Sequence, residues 1–289
     1  MTRKAATATG FLAVLLWALL AALTVATAPM PALLLNALTF AIGGAAGLVW
    51  IARNGSWTTL GRVPLWVYGF GIAGLFLYHL CYFTALRLAP PAEASLIAYL
   101  WPLLIVVFSG FLPGERLRPG HLAGTLLAFA GAALIVLAGA DDAPPGPMRP
   151  TGQALAFLAA LIWASYSVLS RRLGAMPTAT VAIYCLGTAI LSAAAHLAWE
   201  TAAAPAGPWG WLACAALGLG PVGLAFYFWD TGVKHGDIQL LGVLAYAAPL
   251  LSTLVLIVAG IAPATPQLAL SALMIAGGAA LAARAGRMR

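Results

Sequence analysis

Charged side chains are scarce in this chain: 7% of its 289 residues are Asp, Glu, Lys or Arg, where soluble domains carry about 25%. A water-soluble fold could not hide the apolar surface that remains and is excluded. Cysteine is rare as well. Cys81, Cys185 and Cys214 lie in apolar stretches and show no CxxC or metal-type spacing, which leaves neither a disulfide framework nor a thiolate metal site. Of the seven acidic residues, the only adjacent pair, Asp141 and Asp142, stands in a proline-rich stretch without further ligands. An intramembrane enzyme acting on lipids needs clustered carboxylates for a metal, or a nucleophile beside a base, and the sequence holds neither. No ring of charge or filter motif marks a passive channel. These absences lead to the expectation of a protein that is not an enzyme and carries no cofactor or metal.

What is abundant is apolar: 63% of the residues are hydrophobic. A membrane-spanning helix takes about 20 such residues, so the length accommodates ten spans and no sizeable soluble domain. Apolar runs between charged or proline-rich breaks predict spans at 8–28, 31–52, 64–87, 91–112, 119–139, 151–170, 178–199, 208–231, 238–260 and 266–284. With the amino terminus inside, one face then holds Arg3, Lys4, Arg53, Arg62, Arg116, Arg118, Arg171, Arg172, Lys234, Arg284, Arg287 and Arg289, and the other only Arg87 and Arg149. That asymmetry is what the positive-inside rule requires. It predicts a bacterial-type inner-membrane protein with both termini in the cytoplasm. The net charge of +7 therefore reports topology; the cations form no stripe of the kind that binds nucleic acid.

The chain also repeats itself. At a constant spacing of 147 residues, Gly71 meets Gly218, Thr84 meets Thr231, Arg87 meets Lys234, Tyr99 meets Tyr246, Pro102 meets Pro249 and Gly131 meets Gly278. Trp17-Ala18 and Trp163-Ala164 align within one residue of the same register. The expected organisation is a first five-helix repeat at 1–140, a periplasmic linker at 141–150 and a second repeat at 151–289. Five is odd, so the second half must enter the membrane in the opposite sense. Inverted repeats underlie many secondary transporters, because equivalent halves can exchange conformations around a midplane site.

Interfacial belts place Trp and Tyr at helix ends, yet Trp17, Tyr78, Tyr82, Tyr99, Trp101, Trp163 and Tyr166 sit well inside their predicted spans. Tyr78 and Tyr82 share one face of the third helix, and Trp163 and Tyr166 one face of the sixth. Buried aromatic walls present flat apolar area together with O–H and N–H groups that need partners. These residues, with His79 and with Tyr246 as the repeat partner of Tyr99, are the candidate substrate-binding set. His79 is a candidate partner for a substrate carboxylate. Pro102 and Pro249 lie inside their helices and are candidate hinges, since each removes the bond to a carbonyl four residues earlier, on Ala98 and Ala245. Ionisable residues at membrane depth usually mark function, and three stand out. Asp230 and Lys234 have the spacing of a salt bridge on one helix turn, and Glu93 begins the fourth helix, where proton coupling or a helix-dipole role is open. Gly43, Gly44, Gly47, Gly71, Gly74, Gly124, Gly131, Gly277 and Gly278 are packing positions that let helices approach closely.

The paired Trp-Ala starts, the run from Thr84-Ala85-Leu86 through Ala92-Glu93-Ala94-Ser95-Leu96 to Trp101-Pro102-Leu103-Leu104, and its second copy resemble the drug/metabolite transporter superfamily. The likeness is to its EamA-type ten-helix members and, among these, to aromatic amino-acid exporters. It covers essentially the whole chain. The resemblance implies an all-α membrane protein of ten helices in two inverted repeats, exporting a small organic solute by alternating access through a central cavity. Aromatic or other hydrophobic amino acids are the expected substrates, with planar cations or nucleosides as the alternative. The lipid bilayer is the expected environment, with a monomer or weak homo-oligomer as the working unit. Several members carry a proton-coupling glutamate within the membrane; the first span here has no carboxylate.

Overall fold

A computed structural model describes residues 1–55, 57–138, 148–260 and 264–287. Most of the expected linker, with Asp141 and Asp142, falls outside them. Among the described residues there are no strands and ten helices long and apolar enough to cross a membrane. These are α1 (Arg3–Ala26), α2 (Ala32–Asn54), α3 (Leu65–Leu88), α4 (Pro91–Ser109), α5 (Pro119–Ala138), α6 (Arg149–Arg172), α7 (Thr180–Trp199), α8 (Pro208–His235), α9 (Ile238–Val258) and α10 (Pro266–Gly286). The chain is an all-helical, multi-pass membrane protein.

The helix ends follow local rules. Thr2 caps α1, its hydroxyl accepting the Ala5 N–H at 3.2 Å. Proline occupies the first turn of α4, α6 and α8, where its missing N–H leaves nothing unsatisfied. Gly55, with φ 65°, ends α2 in the left-handed conformation that glycine adopts without strain.

Three helices break at mid-depth. Regular structure stops at Trp17 and resumes at Leu20 in α1, stops at Ala98 and resumes at Trp101 in α4, and stops at Leu244 and resumes at Ala247 in α9. The breaks in α4 and α9 lie just before Pro102 and Pro249, as their lost N–H groups require. The Ala245 carbonyl, expected to be free, instead accepts the Ala248 N–H at 3.0 Å, because the chain tightens to a three-residue turn there. In α8 the chain widens, and Gly220–Leu224 form a π-helical turn.

Packing pairs α5 with α10, α2 with α7, α3 with α6 and α1 with α8. A Cβ on Gly124 would stand 2.4 Å from the Gly278 carbonyl oxygen, and one on Gly278 2.3 Å from that of Gly124. The small-residue faces of α5 and α10 thus meet inside the monomer. Asn36 of α2 donates to the Ser192 hydroxyl of α7 at 2.7 Å, a polar contact between apolar helices.

Charge gathers at the two ends of the bundle. At the end that carries Arg3, Glu115 joins Arg3 at 3.2 Å and also contacts Arg171, while Arg3 reaches Asp237 at 3.2 Å. Arg171 donates to the carbonyls of Val233 and Gly236 at 2.8 and 2.9 Å. One network so ties the start of α1, the α4–α5 connection, the end of α6 and the α8–α9 junction. At the opposite end Glu200 is the hub. Its side chain is 2% exposed and meets Arg87 of α3, His196 of α7 at 3.0 Å and the Leu33 and Leu34 N–H groups of α2 at 3.1 and 3.2 Å.

Burial opposes ionisation of Glu200, but donors from His196, the Leu33 N–H, Arg87 and the Leu34 N–H together outweigh it and hold its carboxyl below the usual range. A carboxylate depressed in the folded state adds stability that is present above its unfolded value, about 4.3, and is lost as pH falls through the folded one. Glu200→Gln should therefore lower stability at pH 7 by about 2 kcal/mol. The gap between variant and parent in detergent melting should shrink steadily below about pH 4.3; a gap independent of pH would show that the charge is immaterial.

Candidate functional site

Halfway through the bundle, four tryptophans from four helices converge. Trp17 of α1 lies 6.2 Å from Trp101 of α4, 6.0 Å from Trp163 of α6 and 5.2 Å from Trp229 of α8, between ring centroids. Trp101 and Trp229 are 5.6 Å apart and edge-on, the arrangement aromatic quadrupoles favour. Trp101, Trp163 and Trp229 are buried, and Trp17 is half-buried. The Trp229 indole donates to the Ser167 hydroxyl at 3.0 Å and that of Trp17 to the Pro221 carbonyl at 3.1 Å.

A more polar rim stands beside this floor, nearer the Glu200 end. Tyr78 lies 5.1 Å from Trp163 and stacks parallel to Tyr82 at 6.0 Å, one helix turn apart as the sequence spacing predicts. The Tyr82 hydroxyl meets that of Ser95 at 3.3 Å, and Tyr99, at the break in α4, lies within electrostatic range of Tyr82. Tyr78, His79, Tyr82 and Tyr99 are all half-buried. Phe40 of α2 closes the wall, 5.0 Å from the His79 ring and 5.3 Å from Phe226.

His79 Nδ1 lies 2.7 Å from the Leu75 carbonyl. A carbonyl only accepts, so Nδ1 carries the proton. The ring's other nitrogen, Nε2, accepts from a substrate ammonium when the ring is neutral and donates to a carboxylate when it is protonated.

Not every candidate joins this group. Tyr166 is buried and forms its back wall, 5.4 Å from Trp163 and stacked on Phe70 at 5.5 Å; behind it a groove of about 370 Å³ opens sideways between α3 and α6. Tyr246 is completely buried elsewhere. It packs with Val106, Ala128, Val243 and Ile275, 5.9 Å from Phe129, and its hydroxyl accepts the Leu103 N–H at 3.1 Å. Its place is the crossing of the two broken helices, where it satisfies a backbone donor released by the break in α4. Pro102 and Pro249 are buried at those breaks. Asp230 and Lys234 are bonded at 2.9 Å, with Thr178 donating to Asp230 at 2.8 Å and Lys234 donating to the Met176 carbonyl at 3.1 Å. Glu93 faces away from the aromatic group, held by Arg149 at 2.8 Å and by Gln153.

Sequence reasoning missed Trp229, Phe226 and Phe40, and the hub carboxylates Glu115 and Glu200. The repeat held a signal for two of them: at the 147-residue spacing Trp229 stands opposite Tyr82, and Phe226 opposite His79.

The class now follows from comparison with known proteins. Residues 5–137 and 150–284 match the EamA-like transporter family, and the chain belongs to it. Within that family it is 53% identical to the aromatic amino acid exporter YddG of Ancylobacter novellus over 284 residues, 98% of each chain. It is 27% identical to YddG of Escherichia coli K12 across 97% of both chains. A more distant match, at 29% over 61% of this chain and 60% of the other, is the pseudopaline exporter CntI of Pseudomonas aeruginosa. A solved crystal structure 53% identical in sequence superposes with a TM-score of 0.92 over 97% of this chain and 98% of that one.

Two substitutions separate scaffold from pocket. Tyr246→Phe leaves the Leu103 N–H without its acceptor and should cost about 1–3 kcal/mol of stability, read as a lower melting midpoint in detergent, with substrate affinity unchanged. Tyr78→Ala, at a half-buried rim position, should weaken substrate binding several-fold while moving the midpoint little. The reverse pattern would exchange their roles.

Proposed function

We propose that this protein exports aromatic and other large apolar amino acids across the cytoplasmic membrane, by alternating access between two inverted halves. One observation carries the reading: a mid-depth floor of Trp17, Trp101, Trp163 and Trp229 beside a half-buried rim of Tyr78, His79, Tyr82 and Tyr99. Indole and phenyl side chains stack on such walls, and the Nε2 lone pair of His79 accepts from an ammonium. The name of the Ancylobacter relative points the same way. Planar cations fit less well, because the charge of Asp230, the acid adjoining Trp229, is already balanced by Lys234 at 2.9 Å.

The inverted relation of the halves is supported by packing. Exchange of halves turns the α3–α6 pair into α8–α1, and leaves α5–α10 and α2–α7 as pairs. Positive charge favours the cytoplasm for the Arg3 end, which places Glu93, Arg149 and Glu200 outside. The Glu115 network then ties α1, α6 and the two connections together at the inner end. The working unit in this reading is a monomer or weak homo-oligomer.

The test is transport by purified protein in liposomes. Labelled phenylalanine should move in a saturable manner and compete with tryptophan and tyrosine more strongly than with nucleosides or planar cations; vesicles no better than protein-free ones would defeat the assignment. Glu115→Gln removes the charge that joins Arg3 to Arg171 and should raise labelling of a cysteine placed at Ser170 from the cytoplasmic side. Labelling equal to that of the parent would show that the network does not hold that end together.

A further inference from the structure

The π-helical turn of α8 is the irregularity that the repeat does not explain. Its counterpart in α3, at the 147-residue spacing, lies within an unbroken helix from Leu65 to Leu88. In α8, Pro221 has no N–H to give the Leu217 carbonyl, and the chain widens over Gly220–Leu224. The Ala225 N–H consequently bonds to the Gly220 carbonyl, five residues back, and to that of Gly223, rather than to Pro221 as an α-helix would have it. The Pro221 carbonyl is instead taken by the Trp17 indole at 3.1 Å.

The surroundings leave this turn no side-chain padding. A Cβ on Gly223 would lie 2.3 Å from the Gly218 oxygen, and one on Gly43 2.8 Å from the Gly223 Cα, so backbone rests on backbone between α8 and α2. The next residues along α8 are Phe226 and Trp229, which face Trp17 at 6.3 and 5.2 Å. The ring that clamps the wide turn is therefore also the ring in the middle of the pocket.

We infer that Trp17 is a positioning residue that couples occupancy of the aromatic pocket to the register of α8. The inference rests on that pocket being the transport site. A solute ring entering among the tryptophans displaces the Trp17 indole, and its N–H leaves the Pro221 carbonyl. That oxygen must find another donor at membrane depth, and the Ala225 N–H is within the same helix turn. Transfer of the Ala225 N–H from Gly220 to Pro221 tightens the C-terminal end of the wide turn, leaves its start at Pro221 in place, and rotates Phe226 and Trp229 relative to Gly218. The pocket wall moves because the bond is exchanged: Pro221 keeps a donor, and the carbonyl released is that of Gly220. π-helical turns are frequent at functional sites for this kind of reason.

Saturation kinetics of labelled phenylalanine in liposomes test it. Trp17→Phe keeps an aromatic ring and deletes the N–H. It should change the maximal transport rate about tenfold, the equivalent of one hydrogen bond, in addition to the effect of the smaller ring on the half-saturating concentration. Trp101→Phe makes the same ring exchange without a carbonyl bond and should act on the half-saturating concentration instead. Pro221→Ala supplies an N–H to Leu217 and removes the need for a wide turn. In its presence Trp17→Phe should have no additional effect on rate, and where Trp17→Phe alone fails to fold, Pro221→Ala by itself should shift the maximal rate without shifting half-saturation. If Tyr78→Ala weakens phenylalanine binding while Trp17→Phe and Pro221→Ala both transport at the parental rate, the coupling is wrong and the pocket stands. If none of Tyr78→Ala, Trp101→Phe and Trp17→Phe alters binding or rate, the pocket assignment itself falls.

Discussion

Within a bilayer, a backbone N–H or C=O that loses its helical partner has no water to turn to, and leaving it unpaired is costly. The organisation of this protein depends on that constraint. Its irregular helices release polar groups at mid-depth, and particular side chains answer them. Tyr246 takes the Leu103 N–H at the break in α4, the Trp17 indole takes the Pro221 carbonyl at the wide turn of α8, and Ala248 turns back onto Ala245 in α9. Tyr246 and Trp17 each join two helices that are distant in sequence, so each repair of the backbone is also a tertiary contact.

The same economy governs charge. Among the described residues the ion pairs other than Asp230–Lys234 lie at the two ends of the bundle, where one carboxylate on each side gathers several donors. Glu115 collects Arg3 and Arg171, and Glu200 collects Arg87, His196 and the first N–H groups of α2. Between these two sets the aromatic group is built from rings, hydroxyls and one imidazole, groups that desolvate at far lower cost than ions.

The repeat explains much of the pocket and also where its symmetry ends. Tyr82 and Trp229, His79 and Phe226 occupy related positions in the two halves and meet around one centre. Tyr99 and Tyr246 are related as well, yet one stands at the pocket rim and the other is sealed between α4, α5 and α9. The likeness of these halves in sequence leaves room for different uses, because a tyrosine offers either a ring to a solute or a hydroxyl to a backbone group.

Hydrophobicity and proline placement determined the ten helices, their ends to within a few residues and the breaks before Pro102 and Pro249, because these depend on local chemistry alone. The Asp230–Lys234 bridge was legible for the same reason, as one helix turn joins its partners. Side-chain partners across helices were not. That Glu115 lies between Arg3 and Arg171, that Trp17 reaches Pro221 and that Tyr246 leaves the aromatic group all depend on which helix faces which. Glu115 and Glu200 read along the chain as ordinary connection residues, since a hydropathy pattern records the span and not the neighbour. Facing is settled by close approaches such as Gly43 on Gly223 and Gly124 on Gly278; in a chain apolar on nearly every side, only three-dimensional fit selects those contacts from many of equal hydrophobicity.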